Sequence, residues 1–447
     1  MKTMFTRSFA ILLLLTTLIW SCAKEDLNTP DYEPFGNVAA AAYSSEIPQT
    51  YMGHMLKMVK ESPGWTPPVA ARAFGYTGLA LYESVQPGIP NKLSMAGQLN
   101  ELGALPLIEE NKDYHWGICA NEAMFTILSL LMDNVSSENS TTLQNIHTDF
   151  ENSFDNVSPA VLERSMTFGK AVAEAVFEYS KTDGGHQAHL NNFPADYIPV
   201  TGESAWVPTP PAFAPALQPY WGNVRPFVAS SVEQAIAVPP YAYSTDPSSI
   251  MYKQAMEVAE LVNAAEPEHV AIALFWADDP GATFTPPGHA VAIAKQVIDQ
   301  EGEDLGKAAY VYAKLGLSLH DAFVTCWHNK YIYNLVRPVT YIIDHIDPTF
   351  TTIVGTPPFP EYTSGHSTNM GAFATVMESI YGKHYIFTDD SHAGVHPARS
   401  FNSFKEASNE AAISRIYGGI HYRQACVQGV ILGEICGKNI NKLNWNN

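Results

Sequence analysis

The stretch PPFPEYTSGHST, Pro357 to Thr368, sets prolines, aromatics and one carboxylate directly ahead of Ser364-Gly365-His366. Prolines break a helix interior but are tolerated ahead of one, and small polar residues favour its first turn. From Asn369 onward, Phe373, Val376, Met377 and Ile380 recur at helical spacing, which predicts a helix over 367–382. The start of a helix presents unpaired N–H groups and a partial positive charge, so this junction can receive an anion. The stretch therefore reads as a functional loop feeding a helix.

Working outward, the same periodicity predicts helices over 114–134, 141–154, 159–182, 246–265, 267–277, 288–300, 303–330 and 403–441. A further one follows the prolines of TPPVAARAFGYTGLALYESV, with Ala70, Phe74, Gly78, Leu81 and Val85 on one face. Loops fall at 278–287, 337–366 and 383–402, and no segment shows convincing strand alternation. The expected fold is all-α, two helical bundles packed together: an N-terminal bundle over 46–230 and a C-terminal bundle over 231–447 that holds the active site. The proline-rich passage Trp206–Phe227 carries too many aromatics for a linker, and is expected to pack as an ordered loop over the bundle.

The chain has 447 residues, is 46% hydrophobic and carries a formal net charge of −20. That charge argues against nucleic acid and against anionic membrane surfaces as partners. It also makes any local cluster of Arg and Lys more telling. Residues 1–22 read as a signal peptide, with Lys2 and Arg7, the apolar Phe9–Trp20 run and then Ser21-Cys22. A small residue before a lone cysteine resembles the bacterial lipoprotein processing site. Cys22 is thus the expected lipidation point, 23–45 a tether, and a lipid anchor the only membrane attachment. The expected location is the outer membrane or cell surface, otherwise the periplasm or medium. Cys119, Cys326, Cys426 and Cys436 read as buried thiols; the last two lie about 15 Å apart along one helix and should not bridge.

Three separated pieces share one chemical theme. In KYIYNLVRP, Lys330 and Arg337 are seven apart, close to two helical turns, which places both on one side of a helix. The second piece is Ser364-Gly365-His366. In SRIYGGIHYR, Arg415 and His421 are six apart on a helix loosened by Gly418-Gly419. Together they offer two guanidinium forks, one ammonium, a hydroxyl, a backbone N–H at a glycine, and two imidazoles. Arg forks bind tetrahedral oxyanions through paired, charge-assisted hydrogen bonds, and glycine admits close backbone approach. Two histidines can divide the work, one bonding the central atom and the other moving protons.

The pattern Lys-x6-Arg-Pro, Ser-Gly-His, Ser-Arg-x5-His resembles that of the vanadium-dependent haloperoxidases and the related type 2 phosphatidic acid phosphatases. The resemblance implies vanadate as cofactor, with its equatorial oxygens held by Lys330, Arg337, Ser364, Gly365 and Arg415. It makes His421 the axial vanadium ligand and His366 the acid–base histidine, with Lys330 polarising bound peroxide. Trp327 and Phe359 match aromatic positions of the halide pocket in chloroperoxidase-like members. FWADDPGATFTPPG, Phe275 to Gly288, resembles the segment whose Asp orients the acid–base histidine, at the position of Asp279. His384, His392 and His396 fall in a variable-looking loop and are expected to be solvated. Two positions depart from the family pattern: Thr363 replaces a proline, and Ala425 stands where many members have an acid. A backbone carbonyl or another carboxylate must then hold the second nitrogen of His421.

The function implied is vanadate-dependent oxidation of halide by hydrogen peroxide, with iodide or bromide favoured and a small organic acceptor downstream. Two other readings fit the same residues. One is an acid phosphatase working through a phosphohistidine at His421, since phosphate has the same tetrahedral shape. The other is a surface lipoprotein that binds an oxyanion without catalysis.

Overall fold

The computed structural model describes residues 38–447. The signal peptide, Cys22 and the tether up to residue 37 lie outside the described residues. The described residues form fourteen α-helices, four short 3₁₀ helices and one small hairpin, joined by loops. The all-α expectation holds, and no helix among the described residues is long and apolar enough to cross a membrane.

The first half contributes α1 (Glu46–Glu61), α2 (Pro67–Val85), α3 (Trp116–Leu131), α4 (Ser137–Asn152) and α5 (Pro159–Ser180). Of these, α1 lacks any counterpart among the helices read from the sequence. Ser136 and Ser158 accept hydrogen bonds from the first turns of α4 and α5, and Pro159 opens α5 where a missing N–H costs nothing. The helix α2 is buried on nearly every side rather than on one face, so it is a core helix. Residues 38–45, read as the end of a tether, pack on the bundle: Ala40 is buried, and the Trp116 indole N–H donates to the Val38 carbonyl at 2.9 Å.

The second half adds α6 (Ser230–Gln234), α7 (Ile250–Ala264), α8 (Pro267–Phe275), α9 (Thr285–Glu301), α10 (Leu305–Tyr333), α11 (Pro338–His345), α12 (Gly365–Tyr381), α13 (Phe404–Tyr417) and α14 (Arg423–Asn441). At 29 residues α10 is about 43 Å long and forms the spine of the molecule. It packs against α2 on one side and against α12 and α14 on the other. Close approach to α2 needs small residues: a Cβ on Gly78 would sit 2.5 Å from the Tyr312 carbonyl oxygen, and one on Gly316 2.5 Å from that of Phe74. One buried apolar cluster consequently runs from α1 through α13, and a second fills the space among α7, α11, α13 and α14.

The Trp206–Phe227 passage is ordered, with Trp206, Trp221 and Phe227 buried. Its end is pinned by Asp321 of α10, whose oxygens accept from the Phe227 and Val228 N–H groups at 2.6 and 3.0 Å and from the Ser231 hydroxyl at 2.8 Å.

Three local expectations are corrected. Lys330 and Arg337 do not share a helix, because Asn334 takes a left-handed conformation (φ 47°) that ends α10, and Pro338 starts α11 with Arg337 as its N-cap. The expected 403–441 helix is two helices. Gly419 sits at φ 85° after α13, a conformation no helix tolerates, and His421 lies in the short connection before α14. The 383–402 loop contains an antiparallel hairpin, β1 (Phe387–Asp389) and β2 (Arg399–Phe401), which buries Phe387, Phe401 and Asp389.

Candidate active site

Helix ends and connections from α8 to α14 converge on one cavity of about 380 Å³. Its walls include Gly365, His366, Arg415 and His421, the aromatic rings of Trp327 and Phe359, and Asp278 with Asp279. Thr66, Pro67, Phe193, Leu217 and Pro358 form further wall, mostly apolar.

Each polar group has a local structural cause. Ser364 is the N-cap of α12, and its Oγ accepts from the Ser367 hydroxyl at 2.8 Å, which leaves Gly365 and His366 at the positive end of that helix. A Cβ on Gly365 would meet only Trp327 and Phe323 ring atoms, at 3.8 and 4.0 Å, so this backbone faces open space. Arg337 is fully buried; its Nε donates to the Phe359 carbonyl at 2.9 Å, and its Nη1 donates to the Ile420 carbonyl at 2.9 Å and lies 3.2 Å from His421 Nε2. Lys330 reaches the carbonyls of Pro360 and Glu361 at 2.9 and 3.0 Å. Arg415, at the end of α13, donates to the Trp276 carbonyl and keeps its buried Nε unpartnered.

The histidine at 421 is oriented by a residue the sequence pattern did not single out. Its Nδ1 lies 2.9 Å from Glu361 Oε1, which also accepts the Tyr422 N–H at 2.8 Å. Glu361 is the carboxylate inside PPFPEYTSGHST, and the absence of an acid at Ala425 was the signal that another group must serve. With Nδ1–H given to Glu361, the lone pair resides on Nε2.

The electrostatics are unusual. Burial draws Lys330 down to about 7, with Arg337 adding to the effect, and draws Arg337 down to about 10. Burial also raises Glu361 to about 7, against the pull of Arg337 and Lys330. His421 is held well below its ordinary value by burial and then by the three neighbouring cations, so it is neutral. Glu361 is set beside Lys330 and Arg337, while Asp279 and Asp278 face Arg415. Desolvated cations gathered at one place, with the buried Arg415 Nε–H unpartnered, fit an oxyanion.

The aromatic pair is present as well. The Trp327 and Phe359 ring centroids are 4.9 Å apart, and Lys330 Nζ lies 4.9 Å from the Phe359 ring. Two expectations about the surroundings of His366 are corrected. The carboxylate nearest its ring is that of Asp278, with Oδ2 3.9 Å from His366 Nε2, not Asp279. Asp278 follows α8 in a left-handed conformation (φ 51°) and its side chain is buried against His289, whereas Asp279 lines the cavity within the field of Arg415. His392 is buried, not solvated, because the hairpin carries it against Asp278. His384 is exposed and His396 partly so.

The chain is similar along most of its length to proteins of one family. The family model for the VCPO second helical-bundle domain matches residues 310–445. The vanadium chloroperoxidase of Curvularia inaequalis is 24% identical over 458 residues, spanning 80% of this chain and 74% of that protein. A structure described as the first bacterial vanadium-dependent iodoperoxidase superposes with a TM-score of 0.81 at 35% identity, covering 90% of this chain and 97% of that one. A holo-type bacterial vanadium-dependent chloroperoxidase shares the fold, with a TM-score of 0.64 at 15% identity over 87% of this chain and 96% of that one. The cavity and this likeness along nearly the whole chain lead to one conclusion: the chain belongs to the vanadium-dependent haloperoxidase family.

Proposed function

We propose that the protein is a vanadate-dependent haloperoxidase that oxidises iodide, and bromide less readily, with hydrogen peroxide. The observation that carries the reading is the pairing of a neutral His421, its Nε2 lone pair fixed by Glu361, with three buried cations. The preference for iodide rests on the iodoperoxidase named above, 35% identical over 90% of this chain.

Vanadate, when bound, supplies a Lewis acid that activates hydrogen peroxide toward halide. His421 Nε2 is the atom that would bond the metal. Arg337, Arg415, Lys330, the Gly365 N–H and the Ser364 hydroxyl would hold its oxygens, and their positive charge would stabilise negative charge as it develops. His366, neutral because burial and Arg415 hold it well below its ordinary value, is the group that would accept a proton from incoming peroxide. Trp327 and Phe359 exclude water where halide approaches, and the apolar mouth at Pro67, Phe193 and Pro358 suits a small organic acceptor. The sequence of residues 1–22 supports export with a lipid anchor on Cys22.

The test is mature protein stripped of anions, reloaded with vanadate, and given peroxide with iodide, bromide or chloride, and separately an aryl phosphate. Vanadate-dependent oxidation of iodide above bromide is expected. Phosphate release that vanadate inhibits would instead assign the cradle to phosphoryl transfer. Anion binding with neither activity would leave a binding protein.

A further inference from the structure

Behind His366 lies a cluster that the oxyanion chemistry does not use. Asp278, His289 and His392 are all buried, and one ligand atom from each lies within 4.8 Å of the others. They come from three separate elements: the turn after α8, α9, and the loop between β1 and β2. His289 is held from behind, with Nε2 2.8 Å from Asp389 Oδ2. Asp389 is itself fixed, its Oδ1 accepting the Ser391 N–H at 3.0 Å and the Ser391 hydroxyl at 2.6 Å. A carboxylate behind one ring nitrogen directs the other, Nδ1, forward, which is how proteins orient metal-ligating histidines. That Nδ1 lies 2.9 Å from Asp278 Oδ2.

The second observation concerns partners. Asp278 Oδ1 and His392 Nε2 are 3.2 Å apart, yet neither has a hydrogen-bond partner of acceptable geometry. A buried carboxylate oxygen and a buried imidazole nitrogen this close, without an aligned proton between them, can both turn a lone pair to a cation once the ring carries its proton on Nδ1. An aromatic shell closes the site: Trp276 stacks on His289 with centroids 4.6 Å apart, and Phe284 on His392 at 5.4 Å.

We propose that Asp278, His289 and His392 form a binding site for one divalent transition cation of the zinc class, separate from the vanadate cradle. Two imidazoles and one carboxylate match that class and not calcium or magnesium, which require oxygen ligands. Binding displaces the proton shared between His289 Nδ1 and Asp278 Oδ2 to the buffer, while the Nε2–H stays with Asp389. Occupancy also engages the Asp278 oxygens that lie beside His366, so the cation lowers halide oxidation. This last consequence rests on the role given to His366 above; the binding does not.

The experiment titrates zinc into vanadate-loaded full-length protein by calorimetry in two buffers of different ionisation heat, with cobalt as a spectroscopic substitute. One equivalent should bind with proton release, and cobalt should show visible bands of low-symmetry coordination. His392→Gln should weaken binding at least about tenfold and Asp389→Asn about 10- to 100-fold, while His384→Gln, at an exposed histidine, leaves it unchanged. Circular dichroism establishes that each variant is folded. Absence of a stoichiometric site, or binding that survives both His392→Gln and Asp389→Asn, overturns the proposal. Zinc that binds as described without slowing iodide oxidation overturns only the coupling to His366.

Discussion

The Nδ1–H of His421 donates to Glu361 Oε1 across 2.9 Å, and both groups are buried between α10, α12 and the α13–α14 connection. The contact joins two parts of the chain 60 residues apart and fixes which nitrogen of the imidazole faces the cavity. Because the same oxygen also accepts the Tyr422 N–H, Glu361 sets both the ring tautomer and the backbone that carries it.

Glu361→Ala should therefore raise the vanadate concentration needed for half-maximal activity by about 10- to 100-fold, with Glu361→Gln falling in between. Reconstitution of stripped protein at a series of vanadate concentrations measures this. Half-maximal activity at the wild-type concentration in both variants would remove Glu361 from the account.

A different signature is expected of His366. It lies beside the cradle, is neutral, and has an unpartnered Nε2. His366→Ala should lower kcat for iodide oxidation by about 10²- to 10⁴-fold, with vanadate affinity changed far less. Steady-state kinetics at saturating vanadate, paired with direct vanadate binding, separates the two quantities. Equal loss in both would mean that His366 holds the anion rather than moving protons.

The helices were legible because long apolar periodicities such as those of α5, α10 and α12 are one-dimensional signals that tertiary packing only reinforces. The breaks at Asn334 and Gly419 were harder: each is a single residue's backbone conformation within an otherwise helical pattern. The anion-facing motifs could be read because Ser-Gly-His and the Arg-containing pieces are local. Glu361 was not assigned, since its partner His421 is distant and only the missing acid at Ala425 hinted at it. Asp278 and Asp279 are not told apart by sequence, because neighbouring carboxylates differ only in the direction that one left-handed residue imparts. The burial of His392 is not legible in the sequence, since nothing in a polar loop reveals that a hairpin will fold it inward.

Stability should depend on pH through His320, a fully buried residue of α10 whose Nε2 pairs with the Arg225 carbonyl at 3.0 Å. Burial depresses it to about 4. The unfolded chain then binds more protons between pH 6.5 and 4, so its contribution is complete above 6.5 and is lost as pH falls toward 4. Glu83 and Asp321, both raised to about 7 by burial, act in the opposite sense, so the informative quantity is a difference. Relative to His320→Gln, the wild type should lose about 3 kcal/mol of unfolding free energy between pH 7 and pH 4. Urea unfolding at several pH values measures it, and parallel profiles for the two proteins would contradict the assignment.

The last expectation concerns how α14 supports the site. Gly429, Gly433 and Gly437 lie at four-residue spacing on the face of α14 that meets α12. A Cβ on Gly433 would stand 2.0 Å from the Thr368 carbonyl oxygen, and one on Gly429 2.8 Å from that of Ser364. Backbone cannot yield as a side-chain tip can, so either substitution must push the helices apart. Gly433→Ala should cost about 3 kcal/mol or more, whereas Gly103→Ala, with nothing near its Cβ direction, should be close to neutral. Gly429→Ala presses on the residue that caps α12, so it should also weaken vanadate binding by displacing Gly365 and His366. Urea midpoints and vanadate titrations on the three variants test both statements. Wild-type stability in Gly433→Ala would show that α12 and α14 are not held at the distance their glycines allow.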